Sequence, residues 1–168
     1  MQQLSVLRHA KAVPWTPRQD DFARSLRPIG AEHARRIADW MLEHLELPGR
    51  ILCSPSQRTR ETLSPLLRRN PDLEAVTQFV PQMYQADAAT LCELLDAAFS
   101  ETDRVLIIGH NPSFERLVGD VIAERHRDEF RRLPTGTLAV VDFDPDWFGA
   151  RTTGRLAHLV RGKHLSVD

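Results

Sequence analysis

At 168 residues, with 42% hydrophobic and 27% charged side chains, the chain has the size and composition of one ordinary globular domain with a substantial core. Its 22 basic residues are balanced by 23 acidic ones, for a net charge of −1, so a broadly basic nucleic-acid or membrane-surface binder is excluded and any positive site has to be local. No apolar run approaches the ~20 residues that cross a bilayer, and Met1-Gln2-Gln3-Leu4 has no basic region leading into an apolar stretch, so a cytoplasmic protein is expected.

Leu4 to Leu7 reads as a short buried strand that ends in Arg8-His9-Ala10. The stretch from Val13 to Pro28 holds three prolines, Trp15 and the pair Asp20-Asp21. It is too long for a simple connection, and ordered loops of that length tend to be functional. From Gly30 the apolar residues Ala34, Ile37, Ala38, Met41, Leu42 and Leu45 recur at helical spacing until Pro48-Gly49 stops them. Arg50 to Cys53 is a second short strand. Ser54-Pro55-Ser56-Gln57 then predicts a helix start, with Ser54 as N-cap, Pro55 in the first position and Gln57 completing a capping box. That helix runs through Leu63, Leu66 and Leu67 to Arg69.

Beyond Asn70-Pro71, Ala75 to Val80 is a third strand, and Leu91, Leu94, Leu95 and Ala98 mark a helix. Arg104 to Gly109 is a continuous apolar run suited to the middle of a parallel sheet. Asn111 is the expected N-cap of the next helix, with Pro112 at its first position and Phe114, Leu117, Val118, Val121 and Ile122 on its buried face. The mixed-sign run from Arg125 to Arg132 reads as an exposed helix. Two strands, Leu138 to Phe143 and Arg155 to Val160, surround a link containing Pro145, Gly149 and Gly154. Alternating strands and helices predict a single α/β domain over 1–168, a three-layer sandwich with a mostly parallel central sheet. Cys53 and Cys92 lack metal-ligand spacing and are expected to be buried free thiols.

In open α/β sheets ligands bind beyond the carboxyl ends of the strands. Three polar clusters fall there: Arg8-His9, Ser54 to Arg58, and His110-Asn111. Two histidines and two arginines would face one crevice, beside two helix N-termini whose free N–H groups suit an anion. Arginine presents a charged fork that matches phosphate oxygens. A histidine among arginines has its charged form disfavoured, which leaves a neutral imidazole able to attack. A second histidine can take a proton once a phosphate dianion is bound, and phosphoryl transfer depends mainly on positioning and charge stabilisation.

Leu7-Arg8-His9-Ala10 resembles the Arg-His-Gly signature of the histidine phosphatase superfamily, also called phosphoglycerate-mutase-like. Ser54-Pro55-Ser56-Gln57-Arg58 through Thr62 is similar to its second motif, with an arginine three residues past the proline and a threonine four further on. Ile108-Gly109-His110-Asn111-Pro112 is similar to the third, and Asp21 to Leu26, closed by Gly30, to the segment before the first helix. The resemblance implies that His9 is the nucleophile, phosphorylated during turnover, and that Arg8, Arg58 and His110 complete the phosphate pocket. No cofactor and no metal are implied, and phosphate or sulfate is expected to occupy the pocket.

Ala10 stands where the superfamily usually has glycine. Arg-His-Ala-Lys-Ala and Pro134-Thr135-Gly136-Thr137-Leu138-Ala139 instead resemble the compact SixA-type phosphohistidine phosphatases. Many superfamily members carry an acid after the third strand that protonates the leaving group. Pro81 to Asp87 offers no carboxylate that clearly fills this position, as in SixA-type proteins. A phosphoramidate leaves through a nitrogen that can already carry its proton, so the missing acid favours protein phosphohistidine as substrate. A small phosphate ester, with Tyr84, Asp87 or a loop carboxylate assisting, is the second expectation, and a phospholigand-binding module without turnover the third. Lys11, Trp15 and Arg24 are expected at the pocket entrance, Asp20 and Asp21 are weak candidates for a distant acid, and Arg60 reads as a solvated residue. His33, His44, His126, His158 and His164 read as structural.

Overall fold

A computed structural model describes residues 1–144, 146–147 and 153–166. Pro145 and Gly149 of the predicted link lie outside the described residues. Six strands form one sheet: β1 (Gln2–Arg8), β2 (Arg50–Cys53), β3 (Thr77–Phe79), β4 (Arg104–Gly109), β5 (Thr137–Phe143) and β6 (Arg155–Arg161). Their order is β3-β2-β4-β1-β5-β6. β3, β2, β4 and β1 pair in parallel, and β5 pairs antiparallel with both β1 and β6.

Four helices cover the sheet: α1 (Pro28–His44), α2 (Gln57–Arg69), α3 (Ala88–Phe99) and α4 (Ser113–Val121). The strand period of two sorts the apolar runs onto opposite faces. Leu106 and Ile108 pack with Ile37, Met41, Leu63 and Leu66 of α1 and α2, whereas Val105 and Ile107 pack with Leu91, Leu95, Phe114 and Val118 of α3 and α4. These are the three layers expected. β4 is buried from Val105 to Gly109 because it lies in the middle of the sheet with helices on both faces.

Several local expectations are corrected. α2 starts at Gln57, with Ser56 rather than Ser54 as N-cap, because the hydroxyl of Ser54 is engaged across the sheet with His110. Gln57 forms no capping box; its amide donates to Glu61 one turn on. Pro112 rather than Asn111 holds the N-cap position of α4, but Asn111 still caps the helix, its Oδ1 accepting from the amide of Glu115 in the first turn while its Nδ2 donates to the Leu133 carbonyl. The run 125–132 holds only the end of a single 3₁₀ turn, Glu124–His126. A helix continued to Arg132 would draw the Leu133 N–H to a carbonyl one turn back, whereas here it donates to Glu115 beside the site. Cys53 is buried and Cys92 only partly so; both are free.

Candidate active site

In the sheet β4 separates β1 from β2, so the carboxyl ends of three parallel strands present His9, His110 and Ser54 side by side. The rings of His9 and His110 lie 5.4 Å apart, and both side chains are buried. Arg58 enters from the first turn of α2, 5% exposed, with its NH2 group 3.3 Å from His110 Nδ1. Arg8, at the end of β1, donates through NH1 to the carbonyl of Leu133 at 3.1 Å.

Backbone and hydroxyl contacts fix these positions. The amide of Ala10 donates to Thr62 Oγ1 at 3.0 Å, and that hydroxyl donates to the carbonyl of Arg58 at 2.7 Å. The threonine of the second motif thereby ties the loop carrying His9 to the helix turn carrying Arg58. The His9 amide donates to Gly109 O, and the His9 carbonyl accepts from Gly136, which sits at φ +62° where a side chain would be strained. A Cβ on Gly30 would sit 2.1 Å from the carbonyl of Lys11, so this glycine lets α1 pack against the loop behind His9.

Both histidines can be assigned a tautomer. His9 Nδ1 is 2.8 Å from the carbonyl of Ala10, which can only accept, so Nδ1 carries the proton and Nε2 holds a lone pair. Arg58 can only donate to His110 Nδ1, so His110 carries its proton on Nε2, 2.8 Å from Ser54 Oγ. Burial, reinforced by the charges of Arg58, Arg8 and Arg24, lowers the His9 pKa to about 4. Burial, then Arg58, lowers that of His110 to about 3. Both rings are neutral at pH 7. The Nε groups of Arg8 and Arg58 are buried with no hydrogen-bond partner among the described residues. Such N–H groups cost about 1–3 kcal/mol each when left unpaired.

Around this centre stand residues that the sequence flagged weakly or not at all. Asp21 accepts from the Tyr84 hydroxyl at 2.6 Å, from Arg58 NH2 at 3.2 Å and from Arg24 Nε at 2.9 Å. Burial opposes ionisation of Asp21, but these three partners outweigh it and hold its pKa below the usual range. Burial and Asp21 push the Tyr84 pKa up. The Tyr84 ring lies 5.7 Å from that of His110. On the other side Glu115 accepts from the Leu133 amide at 2.7 Å, and Asn111 Nδ2 donates to the Leu133 carbonyl at 2.9 Å, the same carbonyl that receives Arg8.

Arg24 stands close enough for its charge to act on His9, and its NH1 also donates to Val13 O. Lys11 is exposed and its charge acts on His33. Trp15 is 59% exposed and makes no hydrogen bond or ring contact to the pocket among the described residues. Arg60 bonds Pro55 O and lies over the Phe79 ring. His44 stacks on Trp40, and His158 meets the same ring edge-on. Among the described residues no group of three or more His, Cys, Asp or Glu side chains is placed to hold a metal ion.

No family model matches the chain. An uncharacterised protein of Mycobacterium leprae is 26% identical over 132 residues, covering 76% of this chain and 79% of that protein. Among solved structures, the protein assigned as phosphohistidine phosphatase SixA of Agrobacterium tumefaciens is 30% identical with a TM-score of 0.81, covering 95% of this chain and 97% of that one. A protein histidine phosphatase SixA complexed with tungstate superposes with a TM-score of 0.78 at 22% identity, covering 96% and 97%. The fold and the 30% identity over almost the whole chain agree with the three motifs: the chain belongs to the histidine phosphatase superfamily, as a phosphatase of the SixA type with the phosphoglycerate-mutase-like fold.

Proposed function

We propose that the chain hydrolyses protein phosphohistidine through a covalent phosphohistidine on His9. The observation that carries this reading is the pairing of His9 Nδ1 with the Ala10 carbonyl, which leaves Nε2 unprotonated amid the charges of Arg58, Arg8 and Arg24. Arg8 and Arg58 bind the phosphoryl oxygens, and their charges beside His9 and His110 favour this assignment. The His9 Nε2 lone pair attacks phosphorus while the P–N bond to the substrate imidazole breaks, and that imidazole leaves as a neutral ring carrying its own proton. Water then attacks phosphorus, the bond to His9 breaks, and inorganic phosphate departs.

His110 is the second histidine of the pocket. When a phosphoryl dianion draws Arg58 NH2 away from Nδ1, that nitrogen is free to take a proton and donate to an equatorial oxygen. The guanidiniums supply positive charge by themselves, so no metal is called for. Arg24 and Asp21 hold the entrance side, with Lys11 and Trp15 further out as candidate contacts for the substrate's flanks. That all six strands join one sheet supports a single domain, and two free thiols fit a reducing compartment such as the cytoplasm. No described helix is long and apolar enough to cross a membrane.

A small phosphate ester is the second reading, favoured by the Tyr84–Asp21 pair, which holds a proton 2.6 Å from a carboxylate beside the pocket. The test is release of phosphate from a histidine-phosphorylated protein and from a panel of esters, with chelator present throughout and His9→Ala in parallel. Fast release from phosphohistidine, abolished in the variant, is expected. Release that survives the loss of His9 would remove the nucleophile and the mechanism with it.

A further inference from the structure

A groove of about 880 Å³ runs between α3 and α4 and starts at the wall of the phosphate pocket. One end is formed by Gln85 and Pro112, which follow Tyr84 and His110-Asn111 in the chain, so the groove and the catalytic crevice share a rim. Its lining includes small or apolar side chains, Ala86, Ala88, Cys92 and the buried Leu117. Along its sides stand Asp87, Glu93, Asp96 and Asp120, all exposed. Arg116 is the one basic residue in the lining, and it lies 3.7 Å from Asp120.

The surface therefore changes sign over a short distance. Arg8, Arg58 and Arg24 outnumber Asp21 and Glu115 and keep the pocket positive, whereas the adjoining groove has four carboxylates against one guanidinium. A free phosphate or a small phosphorylated metabolite would use the first region alone. A chain that presents a phosphoryl group followed by basic side chains matches both. The rim from Asp87 to Asp96 spans nine residues of helix, about 14 Å, the reach of about four residues of extended peptide.

We propose that this groove receives a basic stretch of the phosphorylated partner protein, next to its phosphohistidine in sequence or in space. The inference rests on the protein-phosphohistidine reading and adds the charge of the segment that flanks the phosphorylated residue.

The experiment uses two synthetic histidine-phosphorylated peptides, one flanked by lysines and one by glutamates, with free phosphoramidate as a substrate too small to reach the groove. The variant is Glu93→Lys/Asp120→Lys, two exposed positions outside the catalytic set. For the wild type, kcat/KM on the basic peptide should exceed that on the acidic one roughly tenfold at low salt, as a few exposed ion pairs allow, and the gap should close as salt rises. In the variant the gap should disappear while phosphoramidate turnover is unchanged. Equal wild-type rates on the two peptides, or an equal loss on phosphoramidate, would overturn the proposal. The same peptides titrated against His9→Ala read the groove by binding alone. Preference for the basic peptide there, abolished by Glu93→Lys/Asp120→Lys, upholds the groove even if phosphohistidine proves to be the wrong substrate; no preference sinks it.

Discussion

Ser54 Oγ lies 2.8 Å from Nε2 of His110, on the opposite edge of the ring from Arg58, so the second histidine of the pocket is held at both nitrogens. Arginine cannot accept, so Arg58 keeps the lone pair on Nδ1, the atom that can change state, while Ser54 accepts from the proton this places on Nε2. In Ser54→Ala, His110 keeps only one constraint. Turnover is expected to fall about tenfold, with a stability loss of about 1–2 kcal/mol from the unpaired buried N–H. Nitrogen NMR of the His110 ring checks the cause: both proteins should show the Nε2–H tautomer that Arg58 imposes, with the Nε2 signal shifted in the variant as its hydrogen bond is lost. An unshifted Nε2 signal would mean that Ser54 does not bond the ring, and a mixture of tautomers that Arg58 alone does not fix the proton.

Tyr84 and Asp21 separate the two substrate readings. Tyr84 occupies the region where many superfamily members place an acid, and its hydroxyl is bonded to Asp21, which also holds Arg58 and Arg24. A phosphohistidine substrate needs no strong acid for its leaving nitrogen, whereas an alkoxide does. Tyr84→Phe is therefore expected to change phosphohistidine turnover less than about threefold and to reduce ester turnover about tenfold or more, in the range removed with a general acid. Equal losses on both substrates would assign Tyr84 to positioning Arg58 through Asp21 and withdraw it as a proton source.

Much of this arrangement was legible in the sequence because it depends on local pattern. The β4 run 104–109 and β2 at 50–53 were readable to the residue, since buried parallel strands are apolar throughout and end sharply at polar residues. Arg8, His9, Arg58 and His110 were readable as a group because the chain order of strands and helices alone puts strand ends together. What escaped is what depends on side chains meeting across the sheet. Ser54 looks like a helix cap by its neighbours, and only the adjacency of β2 and β4 turns it toward His110. Glu115 is one acid on a helix with no local signal, and its function comes from a loop 18 residues away in sequence. The segment 125–132 reads as a helix by charge alone, but buried Phe130 and Leu133 anchor it as an irregular wall.

That wall gives a prediction for Glu115. Its carboxylate accepts from Leu133 N, and Asn111 holds Leu133 O, so Arg8 is aimed by a loop that Glu115 pins down. The negative charge of Glu115 also offsets the burial that lowers the Arg8 pKa. Glu115→Gln should keep one acceptor and stay folded, while the loss of charge and a weaker bond to Leu133 N loosen Arg8. The expected result is a several-fold rise in KM, and in the inhibition constant of inorganic phosphate, with kcat changed less. A selective fall in kcat with unchanged phosphate inhibition would show that Arg8 is not set by this loop.

The two buried histidines make stability depend on pH in a predictable direction. In the unfolded chain each titrates near 6.5, whereas in the fold His9 titrates at about 4 and His110 at about 3. Between those values the unfolded chain binds more protons than the folded one, so stability rises with pH and falls on acidification. The loss begins as pH drops through 6.5 and levels off only below the folded values. Within the window each ring contributes a slope of up to about 1.4 kcal/mol per pH unit. Urea unfolding between pH 7 and pH 5, largely above the carboxylate range, isolates this effect. His9→Gln/His110→Gln should be less pH-dependent than the wild type by about two protons at the acid end, with His33, also lowered mainly by burial, adding the same sign in both proteins. A wild-type slope equal to that of the double variant would mean that both rings titrate in the fold as in the unfolded chain, and a slope smaller than the variant's would mean that they are charged in the fold, where His9 could not serve as a neutral nucleophile.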